Sequence, residues 1–315
     1  MPEITRYTAG HSAAWNDFVL RSRNGTFLFH RSYMDYHADR FADHSLMVWH
    51  KGRLCGLLPG NVCGNTFFSH QGLTYGGLLL DEHATTSFVC QTFDAINRYL
   101  ARQGLSRVVY KAIPWIYHRL PSEEDLYAIT HVCGARLTVR HISSAIDLRR
   151  RLSFTESRRS GLRKSHAGAL QVQEHGTEGL EAFWSVLDVN LQTKYGAHPV
   201  HTVAEMRLLM ERFPHDIRLF TVSDSHCVVG GTVVYITPQV THTQYISASH
   251  EGKRLGALDL LFDHILHLDF GSRYFDFGKS SDTDGSSLNE ALIFQKEGFG
   301  GRGVCYDWYE WEVSK

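Results

Sequence analysis

The chain has 315 residues, 43% of them hydrophobic, with 32 Lys+Arg against 33 Asp+Glu and a formal net charge of -1. That length suits two domains of about 150 residues, each able to bury a core, and near-neutrality excludes a global field for nucleic acid or membrane, so a polyanionic partner must be met by a local patch. Residues 1–10 hold no apolar signal core and no run of roughly 18 apolar residues occurs, which predicts a cytoplasmic protein without a transmembrane segment.

In chain order, Ser12 to Arg21 and Ser32 to Phe41 read as short helices, and Leu46 to Trp49 and Leu54 to Leu58 as strands hinged on Lys51-Gly52. Thr66 to Leu80 reads as an extended, glycine-rich segment. Thr86 to Gln103 places Phe88, Val89, Phe93, Ile96, Tyr99 and Leu100 at helical spacing, stops at Gly104 and leads into a strand from Arg107 to Ala112.

The second half repeats this order. Leu180 to Thr193 and Val203 to Phe213 read as helices, Ile217 to Val222, Val228 to Ile236 and Thr241 to Ser249 as strands, Leu255 to Phe270 as a helix stopped by Gly271, and Tyr274 to Phe277 as a strand. A helix from Ser287 and an aromatic strand ending at Val313 follow. Aligned by element, Gly56, Tyr75, Gly104 and Arg107 fall opposite Gly230, Tyr245, Gly271 and Arg273. We read a tandem duplication of one α+β unit (α/β/α layered): a domain over 1–148, a basic linker over 149–165 and a domain over 166–315.

The linker run Arg149 to Lys164 holds seven basic residues against one acid. It reads either as a solvated helix face or as a clamp for phosphates, which arginine forks bind bidentately. Only Phe154 stands in it to stack a base, which argues against extended nucleic-acid binding. The six cysteines stand singly, without a Cys-x-x-Cys pair, as reduced thiols do. Asp259, Asp263 and His267 recur every fourth residue beside His264, but Leu260, Leu261, Ile265 and Leu268 mark a core face, so a solvated polar face is favoured over a metal site and no metal is expected.

The order of elements resembles the GNAT acyltransferase superfamily, and its tandem form resembles the Fem-type peptidyl transferases and other FemAB-like proteins of bacterial envelope synthesis. The resemblance rests on the segment from Phe27 to His37, on the segment from Ser69 to Gly77, on Lys194-Tyr-Gly-Ala-His-Pro199, and above all on Tyr274-Phe-Asp-Phe-Gly278 with Lys296-Glu-Gly-Phe-Gly300. It implies two GNAT-like domains, each a mixed, mainly antiparallel sheet flanked by helices, with the first as the degenerate acceptor side and the second holding the acyl-transfer site. The implied reaction moves an acetyl, other acyl or aminoacyl group onto an amine or hydroxyl of a cell-envelope, peptidoglycan or sugar precursor. The alternative is an inactive GNAT-like binder of a nucleotide-linked sugar or peptide.

Acetyl-CoA-dependent members hold the pyrophosphate on a Gln/Arg-x-x-Gly-x-Gly/Ala loop at a helix N-terminus. The corresponding run is Lys253, Arg254, Leu255, Gly256, Ala257 and Leu258, in which Leu258 departs from the pattern. Acyl-CoA therefore stands beside aminoacyl-tRNA, the donor of Fem-type relatives, with the tRNA acceptor end as the contact. Acyl transfer needs a proton acceptor and fixed oxyanion donors. The resemblance puts the donor in the main chain near Ser247, the acceptor of the amine proton at Asp276, and a contact to the charged substrate at Lys296. The plain alternatives are a strand-end carboxylate for Asp276 and a helix-end lysine for Lys296. Acceptor contacts are expected from Ser69, His70, Tyr75, Lys194, Tyr195, Tyr245, Ser280, Asn289 and Arg302, with a bulged strand and a buried tyrosine as the plain reading of Ser69 to Tyr75.

Overall fold

Residues 1–282 and 284–313 are described by a computed structural model of the chain. They form two units. The first holds Met1–Ile142 with the described residues of Ser281–Ser287 and Val304–Lys315, and the second holds Ser143–Ser280 and Leu288–Gly303. This division differs from the one expected: most of the C-terminal strand lies in the first unit, and residues 149–165 are part of the second unit's body.

The first unit runs β1 (Glu3–Arg6), α1 (Ser12–Arg21), α2 (Arg31–Met34), β2 (Leu46–His50), β3 (Arg53–Leu58), β4 (Asn61–Cys63), β5 (Thr66–Phe68), β6 (Leu79–Leu80), α3 (Thr86–Arg102), β7 (Arg107–Lys111), α4 (Glu124–Cys133) and β8 (Arg136–Asp147), whose last five residues belong to the second unit. Strands β1, β2, β3 and β6 pair in that order, and β4, β5 and β7 follow one another in a second ladder. The β2–β3 turn has both central residues at positive φ, Lys51 at 50° and Gly52 at 75°, the geometry whose twist suits a two-residue hairpin. Helix α3 is capped by the Thr85 side chain on Phe88 N. It buries Val89, Phe93, Ile96 and Leu100 against Tyr110 and Trp311.

Two expectations fail here for local reasons. The helix expected over Ser32–Phe41 stops at Met34 and continues only as a 3-10 turn, Asp35–His37. The Arg31 guanidinium there holds both Asp35 and Asp43. The segment expected to be extended from Thr66 to Leu80 instead turns back between β5 and β6. A Cβ on Gly76 would lie 1.7 Å from the Ser69 carbonyl oxygen, so that glycine admits the chain's own backbone rather than a ligand.

Tyr110 and Asp125 give this core a pH response. The Asp125 carboxylate accepts from the Tyr110 hydroxyl, and burial raises its pKa from 3.8 to about 6. The folded state thus binds this proton more tightly than the unfolded chain. Its stabilising contribution is complete below pH 4 and is lost as pH rises through about 6. Asp125→Asn, neutral at every pH, is expected to be more stable than the parent by about 1–2 kcal/mol at pH 8 and not at pH 4.5. Urea unfolding at both pH values checks this, and an equal effect at both would exclude the titration.

The second unit runs from β8 through α5 (Glu156–Ala167), β9 (Gln171–His175), α6 (Leu180–Tyr195), α7 (Val203–Arg212), β10 (Ile217–Ser223), β11 (Val228–Ile236), β12 (Val240–Ala248), α8 (His250–Leu255), α9 (Ala257–Leu266), β13 (Tyr274–Lys279), α10 (Glu290–Gly298) and the start of β14 (Arg302–Glu312). Its strands order as β8-β13-β12-β11-β10-β9, antiparallel except for β12 with β13. The two units share the order helices, hairpin, strand, helix, strand. They differ where β12 of nine residues stands opposite β6 of two. The core under α9 gathers Phe220, Val222, Val234, Leu261, Phe262, Ile265, Phe275, Phe277 and Phe299.

The basic run is not a linker. From Glu156 it is helix α5, packed on α9, and its cations are largely engaged: Arg158 with Asp259 at 3.0 Å, Arg159 and Arg163 with Glu156, and Arg151 with the Leu266 carbonyl at 2.8 Å. The expected polar face of α9 is also divided. Asp259 is buried on Arg158, and His267 turns to the Asp263 carbonyl at 2.6 Å. Among the described residues no three His, Cys, Asp or Glu converge as ligands of an ion would.

Candidate acyl-transfer site

The site begins with a failure of strand pairing. Strand β12 follows β11 along its whole length, with Gln244 as an extra residue between the Val234–Thr243 and Val233–Tyr245 pairs. Against β13 it pairs only at Val240–Tyr274, Thr241–Phe275 and His242–Asp276. Beyond that point the two parallel strands part. Gly278, at φ 76°, breaks β13 just past Asp276, and the register with β8 slips between Asp276 and Lys279. Such bulges redirect a strand and bare its backbone.

A cavity of about 210 Å³ occupies the opening. Strand β12 lines it with Ile246, Ser247 and Ala248, β13 with Phe277, and α9 with Leu258 and Phe262. Leu187, Asn190, Leu191 and Lys194 come from α6, Lys253 from α8, and Leu292, Gln295, Lys296 and Phe299 from α10. The walls are mainly apolar, yet three lysines and no carboxylate stand among these lining residues. That selects a ligand with an apolar body and an anionic or carbonyl end. The volume suits an acyl or aminoacyl group rather than a whole carrier.

Lys296 is 4% exposed. Its ammonium donates at 2.8 Å to the carbonyls of Gly278 and Lys279, which the β13 bulge turns towards it. Burial holds its pKa down to about 8, with Asp276 working in the opposite direction, and Lys279 is lowered to about 8 in the same way. Asp276 itself is 0% exposed. Its Oδ1 accepts from the Ser143 hydroxyl and, at 3.1 Å, from Gly278 N, while Oδ2 lies 3.0 Å from His242 Nδ1. Both oxygens of Asp276 are thus engaged by protein groups, so a proton from a substrate amine would come to it through a water or a neighbouring group.

A second chain of contacts ties α6 to β12 and α8. Asn190 Nδ2 donates to Ser247 Oγ at 2.6 Å and to the Ala248 carbonyl at 2.7 Å, and its Oδ1 accepts from Lys253 Nζ at 2.8 Å. Lys253 is lowered from its ordinary pKa by burial and by neighbouring Lys194. Ser247 thus stands on the cavity wall with its hydroxyl held by α6, leaving its main chain along the opening.

The run Lys253 to Leu258 does not form the expected loop. Strand β12 passes through Ser249, whose hydroxyl caps Gly252 N, directly into α8, which contains Lys253, Arg254 and Leu255. Gly256, at φ 78°, ends α8 and starts α9 with Ala257. Arg254 is paired with Glu251 on the exposed side. A polar hollow of about 300 Å³ lies beside this break, lined by Arg158, Lys253, Gly256 and Gln295 among others. The residues therefore do not present the expected pyrophosphate loop.

The remaining expected residues scatter. Ser69, His70 and Tyr75 are buried in the first unit: Ser69 Oγ accepts from Lys111 N at 2.7 Å, His70 takes a positive φ of 71°, and Tyr75 bonds Thr26 at 3.2 Å. Tyr245 bonds His201 Nδ1 and edges Trp184. Asn289 caps α10 through Leu292 N, and its own N–H bonds the Ser280 carbonyl at 2.8 Å. Ser280 Oγ is buried without a hydrogen-bond partner among the described residues. Arg302 is exposed and turns back on the Gly301 carbonyl. Lys194 reaches the cavity, while the side chain of Tyr195 lies outside the described residues. Of the residues singled out from sequence, the cavity collects Lys194, Ser247, Lys253 and Lys296. Asn190 on the cavity wall, and His242 and Ser143 on Asp276, are not legible from sequence, since only helix packing and strand register put them there.

Residues 149–284 match the acetyltransferase (GNAT) domain family. No curated protein sequence matches the chain. Among solved structures, FemX superposes with a TM-score of 0.69 at 11% identity, covering 97% of this chain and 96% of its own. L-PGS from Bacillus licheniformis superposes at 0.64 with 12% identity over 98% and 93%, and a tandem GNAT protein from the clavulanic acid biosynthesis pathway at 0.54 with 13% over 100% and 99%. The matched stretch, an acetyltransferase (GNAT) domain, contains the parted strands β12 and β13 and Lys194 and Lys253 of the cavity wall. Solved structures of both Fem type and tandem GNAT type share the fold of this chain nearly from end to end.

Proposed function

We propose that this chain transfers an aminoacyl group from an ester-linked carrier, an aminoacyl-tRNA acceptor end, to an amine or hydroxyl of a cell-envelope, peptidoglycan or sugar precursor. The observation that carries this reading is the three-lysine cavity between β12 and β13, sized for an acyl group and flanked by α8 where a coenzyme loop would be needed. The nucleophile attacks the ester carbonyl, a C–N or C–O bond forms, the C–O bond to the carrier breaks, and the carrier hydroxyl takes up a proton. Charge on the carbonyl oxygen meets the main-chain N–H groups on the open side of β12 near Ser247, and Lys296 holds an N–H beyond the two given to carbonyls. Among the described residues no helix is long and apolar enough to cross a membrane.

The test is a transfer assay with labelled aminoacyl-tRNA or acetyl-CoA against nucleotide-linked envelope precursors, run with thermal-shift measurements on the same ligands. A ligand at a hundred times its Kd raises stability by about 2.7 kcal/mol. Labelled product from aminoacyl-tRNA, with a midpoint raised by a precursor, is the expected result. Product from acetyl-CoA alone would overturn the donor assignment, and no product and no shift would overturn both ligand assignments.

A further inference from the structure

The opening between β12 and β13 closes on one residue pair, His242 with Asp276, the last register position the two strands share. His242 is placed there by Asp276 and by Gly278. Its Nδ1 is 3.0 Å from Asp276 Oδ2. Asp276 is fixed in turn by Ser143 of β8 and by Gly278 N. Gly278, lacking a side chain, lets the ring lie close against β13: a Cβ there would stand 3.3 Å from His242 Cε1 and 3.9 Å from Nε2. The same glycine's carbonyl receives Lys296 Nζ at 2.8 Å, so the imidazole and the buried ammonium meet Gly278 from two sides. His242 keeps 11% of its side chain exposed, whereas Asp276 keeps none.

From this arrangement we infer that His242 is the catalytic base of the acyl transfer and that Asp276 is its positioning residue. A carboxylate on Nδ1 fixes that nitrogen as the donor and leaves Nε2 with its lone pair, the relation that equips an imidazole to take a proton. As the nucleophile's bond to the carbonyl carbon forms, its proton passes to Nε2. As the bond to the carrier breaks, the imidazolium returns that proton to the departing oxygen or sulfur. The inference rests on acyl transfer as the reaction and is independent of the donor proposed above. Asp276 is the charged partner of the imidazole, the buried Lys279 and Lys296 act on that same carboxylate, and Tyr235 stands opposite His242 on β11.

His242→Gln is expected to lower kcat at least a hundredfold with the donor KM within about twofold. Asp276→Asn is expected to lower kcat while shifting the proton between the two ring nitrogens, seen in long-range 1H–15N spectra as a change of the His242 tautomer. A His242→Gln enzyme that keeps its rate overturns the inference. So does a wild-type spectrum with the proton on Nε2. Should the wild type transfer nothing from any donor tried, the ligand proposals fall, and His242 is judged separately by diethyl pyrocarbonate labelling mapped by mass spectrometry. Labelling of His242 that slows in Asp276→Asn supports it, and an unlabelled His242 overturns it. This arm needs no folded His242 variant.

Discussion

Lys296→Met is expected to lower turnover by about a hundred- to a thousandfold, the usual loss when one fixed donor to a developing oxyanion is removed, while stability at pH 7 stays within about 2 kcal/mol of the parent. The second half of that expectation follows from two opposed effects. Burial lowers the Lys296 pKa from 10.5 to about 8, so the unfolded chain binds this proton more tightly. Stability from this group therefore rises with pH between about 8 and 10.5, and below 8 the folded state carries a penalised charge. Methionine removes that penalty and fills the same apolar space. It also strips the carbonyls of Gly278 and Lys279 of a donor, each about 1–3 kcal/mol if left unsatisfied.

The same pKa gives a second signature. A transfer that needs the ammonium loses rate as pH rises through about 8, and the residual activity of Lys296→Met should lack that alkaline limb. Lys279 is lowered to about 8 as well, so Lys279→Met is the control: it should keep the limb. Arginine is not expected to rescue position 296, because the side chain is 4% exposed and a guanidinium needs a wider, forked set of acceptors. Retained turnover in Lys296→Met would remove this residue from the site.

Elements with strong local periodicity were readable within a residue or two. Helix α1 over Ser12–Arg21 and strand β11 over Val228–Ile236 coincide with the expected spans. What was not readable shares a physical cause: the pattern was set by tertiary partners. Helix α5 is so polar that it passed for a linker, and only its packing on α9, with Arg158 on Asp259, orders it. Strand β8 alternates weakly, its first residues exposed and its last buried, so no two-residue period marks it. Lys296 was found through its motif with Phe299 and Gly300. His242 could not be, because its link to Asp276 spans 34 positions and exists only once β12 and β13 are in register.

Gly256→Ala is expected to destabilise the second unit by about 2–5 kcal/mol, roughly 5–15 °C in its transition. Two costs add. At φ 78° any residue with a Cβ meets the left-handed penalty of about 1–2 kcal/mol. The new Cβ would also stand 2.2 Å from the Gly161 carbonyl oxygen of α5, and overpacking of that kind costs about 1–3 kcal/mol. The crossing is tight from the other side too, since a Cβ on Gly161 would be 2.0 Å from Asp259 Oδ2. Gly271→Ala is the matched comparison: φ is 72° and nothing lies within 4 Å, so only the conformational cost of about 1–2 kcal/mol should appear. The contrast separates two readings of Gly256. A glycine kept for a phosphate would behave like Gly271 in urea unfolding and lose donor affinity, whereas one kept for the α5 crossing loses stability far beyond Gly271. The 2.2 Å approach predicts the second.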